Sequence, residues 1–259
     1  MTVRPLHQAV RPSPVFLLLV GLTAVGGALA WMGAGDEGPM TRIGVFLFVI
    51  AGWLVSLCLH EFGHAYTAWR YGDTDVAVRG YLTLNPLKYS NPVLSLGLPL
   101  LFIALGGIGL PGGAVYLRTG FMTPRQRTTV NLAGPLANLL LGILLLAATR
   151  LFFDHTHIAF WGGVAFLGFL QITALLLNLL PIPGLDGYAA LEPHLSPGIR
   201  RAMEPVRQWG FFILLMVLLL PGPNRIFFSA VFWFVEMSGV PGALVQIGGQ
   251  LTRFWAAWL

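Results

Sequence analysis

Trp53–Gly72, WLVSLCLHEFGHAYTAWRYG, sets two histidines and a glutamate into an almost unbroken apolar run. His60, Glu61 and His64 stand beside Leu57, Leu59 and Phe62. On a helix, positions four apart share a face one turn apart, so the two imidazoles can reach a single metal ion with a tetrahedral preference, such as zinc. Glu61 lies about 100° round the helix, next to such an ion but not in line with both histidines. In an H-E-x-x-H helix the glutamate at that place takes a proton from the attacking water. The bland alternative is a set of satisfied core side chains. Against it, an ionisable glutamate inside a spanning helix costs roughly 3 kcal/mol on insertion scales. Three such groups together make a functional site the default reading.

The rest of the chain supplies the apolar surroundings. Of 259 residues, 56% are hydrophobic and only 10% charged, where soluble domains carry roughly a quarter charged. Several windows exceed the about 18 apolar residues needed to cross a bilayer. A polytopic membrane protein follows. The net charge of +5 is spread over short loops without a basic cluster, which sets topology rather than binding nucleic acid. One cysteine, Cys58, excludes an intrachain disulfide framework, and it points nearly opposite His60 on a helical wheel. The start, MTVRPLHQAVRPSPVFLLLV, reads as a retained first helix, because no small-residue cleavage site follows it.

Apolar segments fall at about Pro14–Trp31, Ile43–Tyr71, Pro92–Leu110, Thr128–Thr149, Ile158–Leu180, Trp209–Leu220 and Ile226–Ile247. Two stretches, Val76–Pro86 (VAVRGYLTLNP) and Pro111–Arg118 (PGGAVYLR), alternate like short β-strands. The third segment carries Pro99, Gly106, Gly107 and Gly109, poor material for a straight helix. If it dips into the membrane and returns, with the N-terminus cytoplasmic, twelve basic residues face inward, Arg253 among them. Only Arg42, Arg150 and Arg225 then face outward. A full crossing would erase that bias. The expected fold is an all-α polytopic membrane protein of about six transmembrane helices, plus a re-entrant segment and short membrane-associated β-strands. It forms a single domain over 1–259, with a catalytic core at about 43–190 and C-terminal helices at about 203–250.

Two histidines leave a catalytic zinc one protein ligand short. His155 and His157 lie in the outer loop FDHTHIAF, on the wrong side of the membrane; His7 is in the N-terminal tail; Asp73 and Asp75 follow the helix too closely to fold back. In LLNLLPIPGLDGYAAL, Leu176–Leu191, Pro181 and Pro183 stop a helix, and Gly184 and Gly187 permit a tight turn round Asp186. That turn falls on the same side as His60 and His64, which favours Asp186. Glu192 and His194, toward the soluble loop, remain alternatives. Gly134, Asn138 and Gly142 form a small, polar stripe of the kind that lets membrane helices approach closely, and this helix should abut the zinc helix. Asn178, an amide inside a spanning helix, needs a partner. It is read as a residue that orients substrate or stabilises an oxyanion, with Asn138 as a second candidate nearby.

HEFGHAYTA, LTLNPLKYSNP, NLAGPLANLL and NLLPIPGLDG occur in the order seen in the site-2 protease family, and over roughly Gly52–Tyr188 the chain resembles those intramembrane zinc metalloproteases. The resemblance implies one zinc ion per chain held by His60, His64 and Asp186, with Glu61 as the catalytic base. It also implies peptide-bond hydrolysis in or near the bilayer, on single-span membrane proteins in regulated intramembrane proteolysis. Where many relatives show a Pro-Val-Pro-like stretch, this chain has LPGGAVYLR, and the PDZ and CBS domains of several branches are not present. It looks like a minimal core enzyme of a prokaryotic inner membrane, its N-terminus and zinc site toward the cytoplasm. The strand-like stretches are expected to receive an unwound substrate by β-augmentation. Two rivals are a catalytically silent relative that binds membrane proteins, and a zinc transporter. The intact Glu61 argues against the first; the single metal constellation, with no chain of acids leading from it, argues against the second.

Overall fold

Ser13 and Pro14 decide where the first long helix begins. In the computed structural model, which describes residues 10–34, 38–89, 97, 100, 103 and 115–257, the Ser13 hydroxyl accepts a hydrogen bond from the Phe16 N–H and Pro14 takes the first helical position. Proline loses nothing there, since that N–H has no partner within the helix. Helix α1 runs Pro14–Met32, and α2 runs Pro39–Arg70, 32 residues. At 1.5 Å per residue α2 is about 48 Å long, longer than the roughly 30 Å hydrocarbon core. After the single turn α3, Asp75–Val78, Thr123 and Gln126 form a reciprocal cap that starts α4, Pro124–Phe152. Next come α5, Ile158–Asn178, and the short α6, Asp186–Leu191, and α7, Pro197–Met203. Helices α8, Gly210–Leu219, α9, Pro221–Met237, and α10, Gly242–Thr252, complete the bundle.

Helix α5 is the central post. Its apolar window is 89% buried, against 17% for α1 and 33% for α4, so α5 is walled in by protein while α1 and α4 present their outer faces to lipid. Small residues set the closest approaches. A Cβ on Gly44 would lie 2.7 Å from the Ala30 nitrogen, so α1 and α2 meet backbone to backbone. The chain leaves α2 and enters α4 at the same end of the bundle, because Ala65 and Ala68 share a cluster with Met122 and Val130.

Four helices, α1, α2, α4 and α5, are long and apolar enough to cross a membrane, and this is an integral membrane protein. Two bent pairs bring the number to six only if each is one span: α7 with Arg207–Leu219, bent by 47°, and α9 with α10, bent by 114°. The segment expected as one helix over Ile226–Ile247 is therefore a helix and its return. Gly239, at φ +75, and Pro241 make the break. Phe254, just past α10, packs edge-on against Phe46 near the start of α2, with ring centroids 4.8 Å apart. Arg253 thus sits at the end of the bundle away from His60, not with the basic residues of the His60 end.

No strand forms among the described residues. Val76–Pro86 was expected to be strand-like; instead it holds α3 and a 3-10 turn at Tyr81–Thr83, with a second such turn at Pro86–Lys88. Gly80 and Leu84 both adopt left-handed backbone, at φ +77 and +55, which breaks an extended run however well its side chains alternate. Of Pro111–Arg118, the described part, Val115–Arg118, is neither helix nor strand. Most of the expected re-entrant element, Pro92–Leu110, lies outside the described residues.

Candidate metal centre

His60 and His64 bring their Nε2 atoms within 3.1 Å of each other on one face of α2. Asp186 meets them from the other side: its Oδ2 lies 3.2 Å from His60 Nε2 and 3.3 Å from His64 Nε2. The turn between α5 and α6 puts it there. Pro181 and Pro183 prevent α5 from continuing, and Gly184 takes φ +100. Gly187 is pressed on the Leu179 carbonyl and Gly210 on that of Pro183, places where any Cβ would collide with backbone. Asp186 is then the first residue of α6.

Both imidazoles are oriented from behind. The Nδ1 of His64 lies 2.7 Å from the Val130 carbonyl oxygen, which only accepts, so that nitrogen carries the proton. The Nδ1 of His60 lies 2.6 Å from Asn138 Oδ1 and donates likewise. Each Nε2 therefore turns an unprotonated lone pair toward the other and toward a carboxylate oxygen. Asp186 Oδ2 is buried with no hydrogen-bond donor. Three lone pairs 3.1–3.3 Å apart repel one another unless a cation stands among them. The centre of that triangle lies about 1.9 Å from each atom, close to the roughly 2.0–2.1 Å of zinc–nitrogen and zinc–oxygen bonds. The space in front is kept clear by Gly134 of α4, where a Cβ would fall 2.6 Å from His60 Nε2 and closer still to His64 Nε2. The residues present fit zinc.

A cleft of about 460 Å³ opens onto these three residues. Glu61 and Asn178 line it, together with Val115, Leu117, Pro183–Leu185, Phe211 and Leu214. Asn178 is 8% exposed. Among the described residues its amide makes no hydrogen bond, so it is available to a ligand. Asn138 does not line the cleft: it stands behind His60. There it also donates from Nδ2 to Gln171 Oε1, at 2.8 Å. Gln171 and Ser56 were not singled out from the sequence, although an amide in the middle of the apolar run FLGFLQITALLL was the signal available for Gln171.

The remaining candidates are engaged elsewhere. His194 Nε2 pairs with Thr128 Oγ1 at 2.9 Å, and Glu192 pairs with Arg207. Asp73 accepts from the Arg118 N–H at 2.7 Å, and Asp75 pairs with the Arg118 guanidinium at 3.0 Å. Cys58 is buried in a different cluster, with Leu19 and Leu84. His7 lies outside the described residues. In the far loop, His155 packs on Phe153, and His157 stacks on Trp31 while its Nδ1 donates to Asp154. Partial burial pushes the Asp154 carboxyl up, but hydrogen bonds from Trp161 and His157 outweigh it and hold the group below its ordinary range. Among the described residues, His60, His64 and Asp186 are the one group placed to share a metal.

A helical bundle in a bilayer, with a His–His–Asp set and a glutamate facing one cleft, defines a membrane-embedded metal-dependent hydrolase. The family model described as "Peptidase family M50" matches residues 48–160. "Putative zinc metalloprotease Rip2" of Mycolicibacterium smegmatis is 65% identical over 258 residues, 100% of each chain. The protein of that name from Mycobacterium tuberculosis H37Rv is 64% identical over 252 residues, 97% of each chain. "Putative zinc metalloprotease YwhC" of Bacillus subtilis is 34% identical over 182 residues, 67% of this chain and 81% of its own. The chain belongs to peptidase family M50, the site-2 protease family, and is a zinc metalloprotease. No solved structure matches it.

Proposed function

We propose that the protein cleaves a peptide bond in or beside the transmembrane segment of a membrane protein, in regulated intramembrane proteolysis, with His60, His64 and Asp186 as the zinc ligands and Glu61 as the base. The observation that carries this reading is the convergence of the three donors and Glu61 on one cleft inside a helix bundle. Zinc bound there supplies Lewis acidity toward a carbonyl and lowers the pKa of a water. The Glu61 carboxylate accepts a proton from the attacking water and returns it to the leaving amine. The Asn178 amide, free to donate, holds the substrate carbonyl as negative charge develops on its oxygen. A membrane helix must unwind before its bonds can be reached, and the freed backbone groups then need partners. The non-helical chain at Val115–Leu117, on the cleft wall, is placed to supply them. The test is a comparison of membrane proteomes from cells carrying the wild type and Glu61→Gln. Fragments of single-span proteins absent from the variant support the reading, and identical fragment sets overturn it.

The ligand set has its own test. Asp186→Ala leaves two imidazoles, which hold zinc poorly, so zinc content should fall well below one per chain and cleavage should stop. His194→Ala, which removes a partner of Thr128 on the surface, should change neither. Metal loss in His194→Ala with retention in Asp186→Ala would reverse the assignment.

We place the zinc end of the bundle on the cytoplasmic side, on the distribution of basic residues. Single cysteines, introduced after replacing Cys58, report this through an impermeant thiol reagent on intact cells. Thr156→Cys should be labelled from outside, and so should Arg253→Cys, since α10 ends at the far end of the bundle. Arg125→Cys and Gly198→Cys, both exposed at the zinc end, should react only after the membrane is opened. Labelling of the second pair from outside would invert the orientation.

A further inference from the structure

Four hydrogen bonds run in a line from the His60 ring to a backbone carbonyl. Asn138 Oδ1 is 2.6 Å from His60 Nδ1. Asn138 Nδ2 donates to Gln171 Oε1 at 2.8 Å, and Gln171 Nε2 donates to Ser56 Oγ at 2.9 Å. The Ser56 hydroxyl donates to the Trp53 carbonyl at 2.7 Å. Ser56, Asn138 and Gln171 are 4%, 2% and 0% exposed, so water does not compete. The line joins three helices, α2, α4 and α5, and starts and ends on α2.

The direction of such a line is a single binary choice. In the direction observed, every link is made, and the last proton rests on an oxygen that can only accept. Reversing it turns both amides, sends the Ser56 proton to Gln171 and forfeits the bond to Trp53. It also makes Asn138 donate to His60 Nδ1. The ring proton would then move to Nε2, the atom that faces Asp186 and His64, and that nitrogen could no longer bind a metal. His64 needs no such device, because the Val130 carbonyl already fixes its tautomer. His60 faces an amide, whose two ends offer opposite polarities.

We propose that Gln171 and Ser56 are positioning residues for the metal centre: they hold Asn138 with its oxygen toward His60, and so keep the His60 proton on Nδ1 and the Nε2 lone pair toward the ion. This rests on the reading of His60 as a ligand. It goes beyond that reading by naming two side chains, neither on the cleft, that decide whether His60 can serve.

The experiment uses the full chain in nanodiscs, stripped of metal and labelled with ¹⁵N-histidine, at a pH where the imidazoles are neutral. Nitrogen shifts of His60 and His64 report which ring nitrogen carries the proton, and competition with a chromophoric chelator gives the affinity for zinc alone. The tautomers are read in an Asp186→Ala background, so that no carboxylate competes for the Nε2 proton where the metal is missing, and zinc affinity with Asp186 in place. Both rings should carry the proton on Nδ1 as long as Gln171 and Ser56 are intact. Gln171→Met, which keeps length but removes both amide ends, should mix the His60 tautomers and weaken zinc binding by roughly 10–100-fold, while His64 stays as it was. Ser56→Ala should shift both measurements the same way by less, and Ser56→Thr, which restores a hydroxyl, should recover them; this pair decides the matter if Gln171→Met does not fold. An unchanged His60 tautomer in Gln171→Met and Ser56→Ala overturns the proposal, even if zinc affinity falls, because the fall would then be a packing effect. The expected tautomers together with no zinc affinity in the wild type would instead overturn the ligand reading.

Discussion

Replacing Glu61 by glutamine leaves zinc bound and lowers peptide hydrolysis by roughly 10²–10⁴-fold, the usual worth of a general base. Glutamine keeps the volume and one carbonyl oxygen, and Glu61 is not among the three converging donors, so the ligand set is unaltered. What is lost is the capacity to accept a proton and to return it to the leaving amine. Zinc per chain and the initial rate of cleavage, measured on one preparation, separate these effects. A variant with full zinc and near wild-type rate would remove Glu61 from the mechanism. Loss of both together would mean that Glu61 helps to hold the metal. The same pair of measurements bears on the silent-relative alternative, since a pure binder would show no rate to lose.

The shared face of His60 and His64 on α2 was legible because a four-residue interval on a helix is a local property. His60 and His64 needed no knowledge of any other segment. Asp186 is 122 positions beyond His64, yet Pro181, Pro183, Gly184 and Gly187 wrote its turn into the sequence, and the fold brings that turn to the end of the bundle that carries His60 and His64. The small stripe of Gly134, Asn138 and Gly142 also announced a close helix contact. What it could not say was which way Asn138 would point. Asn138 reaches the back of His60 rather than the cleft because the facing partner on α5 is Gln171, and pairing between helices is not encoded within either one. The strand-like alternation of Val76–Pro86 misled for a related reason. Period-two patterning records which side chains are apolar, whereas left-handed backbone at Gly80 and Leu84 decided the path. Over Ile226–Ile247 the apolar run hid a reversal that Gly239 and Pro241 could have signalled.

Gly134→Ala should abolish zinc binding and lower the melting temperature, although alanine is the better helix former. Position 134 lies within α4, and exchanging glycine for alanine in a helix interior contributes about 1 kcal/mol of stability by propensity alone. The new methyl carbon, however, would fall 2.6 Å from His60 Nε2 and nearer still to His64 Nε2, against the two nitrogens that would hold the ion. Neither ring can swing aside cheaply. His64 is tied through Nδ1 to Val130, and His60 through Nδ1 to Asn138, both on the same helix that carries the methyl. The rings cannot stay where they are against a carbon this close, and pushing either imidazole back breaks its orienting bond and spoils the set of donors. Gly142→Ala is the matched control. Its Cβ would meet the end of the Ile172 side chain at 2.8 Å, a flexible contact far from the donors, so it should keep zinc with only a small change in melting temperature. Zinc content by mass spectrometry and thermal unfolding of both variants read the two effects separately. If Gly134→Ala retains one zinc per chain at wild-type affinity, the ion does not sit among His60, His64 and Asp186, and the glycine is there for helix packing alone.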